Sequence, residues 1–176
     1  MKPEEIIAKV EQAFAKVTRG DGVTLHETEV IDACGSERNR AKARRKDTDK
    51  RWQNVPEAAI EAHHEALCFV DPGGFRYYLP AYMRWSLRHF KTSDSLSSDS
   101  TIYALAPSGN KGVTDWNRER WGVFTQEQAK VILEFLRSMA DHGEGHTDAF
   151  MARLAIDAYW KQFSQPADAG EASQRA

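Results

Sequence analysis

Residues 75–85 read Phe75-Arg76-Tyr77-Tyr78-Leu79-Pro80-Ala81-Tyr82-Met83-Arg84-Trp85. Between residues 69 and 90 stand Phe69, Phe75, Tyr77, Tyr78, Tyr82, Trp85 and Phe90, seven of the chain's eighteen aromatic side chains. Aromatics dominate protein interiors because each removes a large apolar area from water. This segment is therefore expected at the centre of the core. Leu79, Met83, Leu87 and Phe90 recur at helical spacing, and Arg84, Arg88 and Lys91 fall on another face. Pro80 is compatible with a first helical turn, so the spacing predicts a helix from Pro80 to about Lys91. Asp71-Pro72-Gly73-Gly74, just before it, predicts a turn.

Outward from this centre the helical period repeats. Ile6, Ile7, Val10, Ala13, Phe14 and Val17 give residues 3–17 one apolar face. A short helix is predicted over Glu27–Ala33, closed by Gly35, and another after Pro56. Thr92–Ser100 is a polar loop, and Thr101–Leu105 is a short helix or strand. Thr125 with Gln128 forms a capping-box pattern ahead of Val131, Ile132, Phe135, Leu136 and Met139. Gly143 ends that helix and Thr147 caps a last one. Val23–Leu25 and Ile102–Leu105 could be strands, but no long alternation occurs. The expected fold is mostly α: an irregular bundle of about five or six helices with long loops and at most a minor strand pair.

The chain has 176 residues, 24 Lys plus Arg, 26 Asp plus Glu and a net charge of −2. This length favours one domain, expected over residues 1–164, with a Pro-, Ala- and Ser-containing disordered tail over 165–176. The charge balance gives no chain-wide field for polyanions, so nucleic acid is not expected as a partner. Two cysteines, Cys34 and Cys68, are too few for a disulfide framework, and Cys68 reads as a small buried hydrophobe. There is no secretory signal pattern and no membrane span, so a reducing cytoplasm is the expected compartment.

Asp49-Lys50-Arg51-Trp52-Gln53-Asn54-Val55-Pro56 and Phe69-Val70-Asp71-Pro72-Gly73-Gly74-Phe75-Arg76-Tyr77-Tyr78-Leu79-Pro80-Ala81-Tyr82-Met83 carry a resemblance, continued by Thr92–Ser95 and Ile102–Leu105. Over Trp52 to about Leu136 the chain resembles an uncharacterised bacterial family, a domain of unknown function. The resemblance implies a small, stand-alone, cytoplasmic bacterial protein. It brings no activity and no catalytic residue.

Several constellations carry possible chemistry. His142-Gly143-Glu144-Gly145-His146-Thr147-Asp148 alternates imidazole and carboxylate, so His142, Glu144, His146 and Asp148 are candidate metal ligands. The same residues also read as a helix-to-helix loop, and no recognised zinc motif is present, so no metal or other cofactor is expected. Glu61-x-x-His64 occurs once, where di-iron bundles need two copies. Gly109–Thr114 lacks the Gly-Lys-Ser/Thr step of a phosphate loop. Residues 37–51 hold eight basic against three acidic side chains. They read first as a solvated face and second as a patch for an acidic protein or nucleic acid.

Trp116, Arg118, Arg120 and Trp121 lie in a charged stretch between helices. Trp and Arg concentrate binding energy, so these four are candidate partner-binding residues, with Arg84 and Arg88 as a second patch. The expectation is a non-enzymatic, partner-binding bacterial protein, immunity- or antitoxin-like or regulatory, acting by protein–protein contact. The alternative is an enzyme, metal-dependent through the His142–Asp148 loop.

Overall fold

The computed structural model describes residues 1–107 and 112–164. Among them the chain forms nine α-helices: α1 (Pro3–Ala13), α2 (Leu25–Asp32), α3 (Glu37–Arg44), α4 (Glu57–Ala62), α5 (Pro72–His89), α6 (Ser97–Ala104), α7 (Asp115–Trp121), α8 (Gln126–His142) and α9 (Ala149–Ala158). Short 3-10 turns stand at Trp52–Asn54, Ala66–Cys68 and Trp160–Ser164. The mostly α expectation holds, with more and shorter helices than the five or six expected. No strand occurs among the described residues: Val23 and Thr24 lead into α2, and Ile102 lies in α6. The expected tail and Gly109–Lys111 of the glycine-rich stretch lie outside the described residues.

The central helix starts earlier than its proline pattern predicts. Asp71 is the N-cap of α5; its carboxylate accepts from Gly74 N at 3.0 Å and from Val23 N at 2.7 Å. Pro72 takes the first helical position, where its missing N–H is no loss. The Asp-Pro-Gly-Gly segment is thus a helix start, and its Gly74 serves a close approach. A Cβ at Gly74 would lie 2.6 Å from Val23 O, and one at Gly22 would lie 2.5 Å from Gly74 N. Pro80 sits inside α5 without ending it. An interior proline costs about 3 kcal/mol. Burial of a large apolar side chain contributes roughly 1.5–3 kcal/mol. Phe75, Leu79, Met83 and Trp85 are all fully buried on this helix, so packing outweighs the break.

Around α5 the other helices except α3 contribute to one continuous hydrophobic cluster. α1 packs against α5 and α8, α6 against α5, and α9 against α8. Lys9 on α1 pairs with Glu134 on α8 at 2.8 Å. The tyrosines of α5 meet the loops: Tyr77 donates to Asp49 Oδ2 at 2.8 Å, Tyr82 to His63 O at 2.6 Å, and Tyr78 accepts from Arg19 at 2.9 Å. Burial drives all three phenols above their ordinary range. Trp52, Trp121 and Trp160 are buried with their indole N–H groups on the carbonyls of Phe14, Ala104 and Leu105. The pairing matters, because an orphaned buried donor would cost about 1–3 kcal/mol.

Three local expectations are corrected. Ser97–Ser100 begins α6 rather than continuing a loop, because Ser97, Thr101 and Ile102 bury one side of it. Cys68 is exposed, at the end of a 3-10 turn. The cap of α9 is Asp148, which accepts from Met151 N at 2.9 Å, and not Thr147.

Candidate functional site

α7 separates its four candidate residues by helical arithmetic. Thr114 caps it by accepting from Asn117 N at 3.3 Å. Trp121 then points into the core at 2% exposure, with its ring 4.8 Å from Tyr159 and 5.5 Å from Trp160. Arg120 is also buried, at 4%. Its guanidinium lies over Phe75 at 4.0 Å and over Trp116 at 5.2 Å, and it donates to Leu67 O. Burial pushes its pKa down to about 10, and among the described residues no carboxylate pairs with it. Trp116 and Arg118 remain on the surface, Trp116 at 50% exposure. Arg118, Val113, Tyr159 and Gln162 line an open depression of about 660 Å³ beside them.

The expected surface quartet is therefore a surface pair on a buried pair. Trp116 rests on the Arg120 cation, which itself stacks on Phe75 of α5. Cation–π contacts of this kind contribute about 0.5–2 kcal/mol. They hold one face of the indole in place and leave the other to solvent.

The second patch divides in the same way. Arg84 is buried; it donates to Gln53 O at 2.9 Å, lies over Trp52 at 5.1 Å and approaches Glu11 at 3.7 Å. Burial, then the neighbouring Arg88 charge, lower its pKa. Arg84 is a clip between segments and not a contact residue. Arg88 pairs with Glu57 at 3.1 Å and borders a cleft of about 720 Å³ with Lys2, Lys91 and His142, floored by Ile7 and Phe90. This cleft lies at the C-terminal end of α5, whereas Arg120 stacks at the N-terminal end. The two patches do not form one surface.

The candidate metal ligands are not gathered. Asp148 caps α9 and accepts from Tyr103 at 2.8 Å, while His146 sets its ring edge-on to Phe90 at 6.3 Å. Among the described residues no three His, Cys, Asp or Glu side chains converge as a ligand set.

One titratable cluster has no signature in the sequence. His26 at the start of α2 contacts Asp47 through Nδ1 at 2.8 Å, and its ring meets that of His63 edge-on at 4.8 Å. His63 Nδ1 stands 3.4 Å from Glu29. Burial lowers the His63 pKa, against the pull of Glu29. The Glu-x-x-His spacing points to His64, which pairs at 3.6 Å with Glu65 and takes no part. Residues 26, 47 and 63 meet only because α2, the segment after α3 and the end of α4 fold together, so no spacing rule could find them.

The sequence model of the family of unknown function DUF6714 matches residues 2–164. The chain belongs to this family. No curated protein and no solved structure matches it. Family membership thus agrees with the resemblance carried by the aromatic string, and it assigns no chemistry to any of the three surfaces. No helix among the described residues is long and apolar enough to cross a membrane.

Proposed function

We propose that this family member is a non-enzymatic, partner-binding protein of immunity or regulatory type, acting through protein–protein contact around Trp116 and Arg118. One observation carries the reading: Trp116 is half exposed yet held from below by the buried Arg120 stack. A half-exposed indole offers a large apolar area to a partner. An immobilised one loses little further freedom on binding, so its area is available as affinity. Arg118 beside it adds charged donors at the edge of an open depression that Val113, Tyr159 and Gln162 also line. Trp and Arg are the residue types that anchor interfaces. The two exposed free thiols fit action in a reducing cytoplasm.

The test is affinity capture from the source cell, with the recovered partner titrated against the parent and a Trp116→Ala variant. The expected loss is about tenfold or more in affinity with an unchanged melting temperature. Equal affinity of both proteins, or turnover of a small molecule by the pure chain, would overturn the proposal.

A further inference from the structure

We infer that the outer face of α3 is a docking surface for duplex DNA. This inference is independent of the Trp116 surface, and either can fail alone. α2 and α3 are joined by the four residues Ala33–Ser36, which contain Gly35 and a left-handed Cys34 at φ 51°. Connections of this length join both helical hairpins and the helix pairs that set their second helix in a DNA groove, so the surface chemistry of α3 carries the inference. The angular order of α3 separates two sets of cations. Arg40 and Arg44 turn inward onto the buried Glu27, at 3.7 Å and 2.8 Å. Arg38, Lys42 and Arg45 fall within about 60° of one another on the opposite side. All three are exposed, and Lys46, Lys50 and Arg51 extend the exposed basic surface.

The acidic residues of the stretch do not neutralise this face. Glu37 pairs with Arg40 at 2.8 Å, Asp47 with His26 at 2.8 Å, and Asp49 accepts from Tyr77. Among the described residues, none of Arg38, Lys42, Arg45, Lys46, Lys50 and Arg51 takes part in an ion pair. The net charge of −2 does not argue against this, because a surface field acts within a Debye length of about 8–10 Å.

The chemistry of the face selects its partner. It carries no exposed large apolar side chain. A protein interface needs an apolar or aromatic anchor, and an interfacial membrane helix needs an apolar face to insert. A phosphate backbone needs only cations and polar donors. The major groove of B-DNA admits one helix, and Asn39, exposed beside Arg38, is the side-chain type that pairs with adenine there.

The test is fluorescence anisotropy of the full chain with a labelled DNA duplex of about two helical turns. The expected dissociation constant at about 50 mM salt is in the range of about 1–100 µM, weakening on a log–log salt plot with a slope of about −3 for three phosphate contacts. Replacing Arg38, Lys42 and Arg45 together by Ala is expected to reduce affinity at least tenfold and flatten the slope, with circular dichroism and melting unchanged. A second triple variant with Gln at these positions keeps the polarity of the helix and gives the same loss. No duplex binding at that salt, a salt slope near zero for the parent, or equal binding by both variants would overturn the inference. Tighter binding of poly-glutamate or of phosphatidylserine vesicles than of the duplex would overturn it too.

Discussion

Trp116 and Trp121 are five positions apart and have opposite fates. Composition alone placed both in a charged stretch. The helical phase of α7 decides between them, since Trp121 joins the Tyr159–Trp160 cluster and Trp116 lies on the far side of Arg120. Trp121→Ala is expected to cost about 3–5 kcal/mol in urea unfolding, as for other buried aromatics. Trp116→Ala should stay within about 1 kcal/mol of the parent. His63 makes a pH-dependent contribution. Burial holds its pKa below 6.5, helped by the His26 and Lys46 charges and opposed by those of Glu29 and Asp47. As pH falls below 6.5, the unfolded chain takes up a proton that the folded chain does not. Stability contributed by this group is therefore complete above that pH and is lost on acidification. A series of denaturation midpoints between about pH 7 and pH 5 should fall for the parent and fall less for His63→Gln. A parallel decline in both proteins would show that the His26–His63 contact does not govern the acid limb.

At the scale of the element, α5 and α3 show what local sequence can and cannot tell. The capping box at Thr125–Gln128 was readable because both partners lie within four residues. The start of α5 was not, because Asp71 has two reasons to stand there. It caps Gly74, a local bond, and it holds Val23, which is distant in sequence. Asp71→Ala is expected to cost about 2 kcal/mol, as the loss of a cap plus one long-range bond. Asp71→Asn, which keeps an acceptor oxygen, should cost less; equal losses would show that the acceptor is not what matters. α3 carries no apolar stripe: Ala43 is its one buried side chain. Its attachment was invisible, since the anchor is Glu27 on the preceding helix. Glu27→Ala is expected to destabilise by about 2 kcal/mol and to raise amide exchange over residues 37–44 more than over α5. Uniform exchange across both helices would contradict a locally tethered α3.

Across the whole molecule, the exposed features sit on distinct faces. α5, eighteen residues and about 27 Å long, separates the Arg88 cleft at its C-terminal end from the Arg120–Trp116 stack at its N-terminal end. The aromatic string was legible as the core because burial follows residue type. Which arginines serve as structural clips was not, since Arg84 and Arg120 differ from Arg88 and Arg118 only in what packs above them. The central claim is that the Trp116–Arg118 face meets another protein. A photo-crosslinking side chain placed at Arg118, and in a control at Lys91 near the other end of α5, tests it in the source cell. The account expects one protein species joined through position 118, absent from the position 91 control and lost when Trp116→Ala is added. Crosslinks that are equal at both positions, or that persist without Trp116, would contradict it.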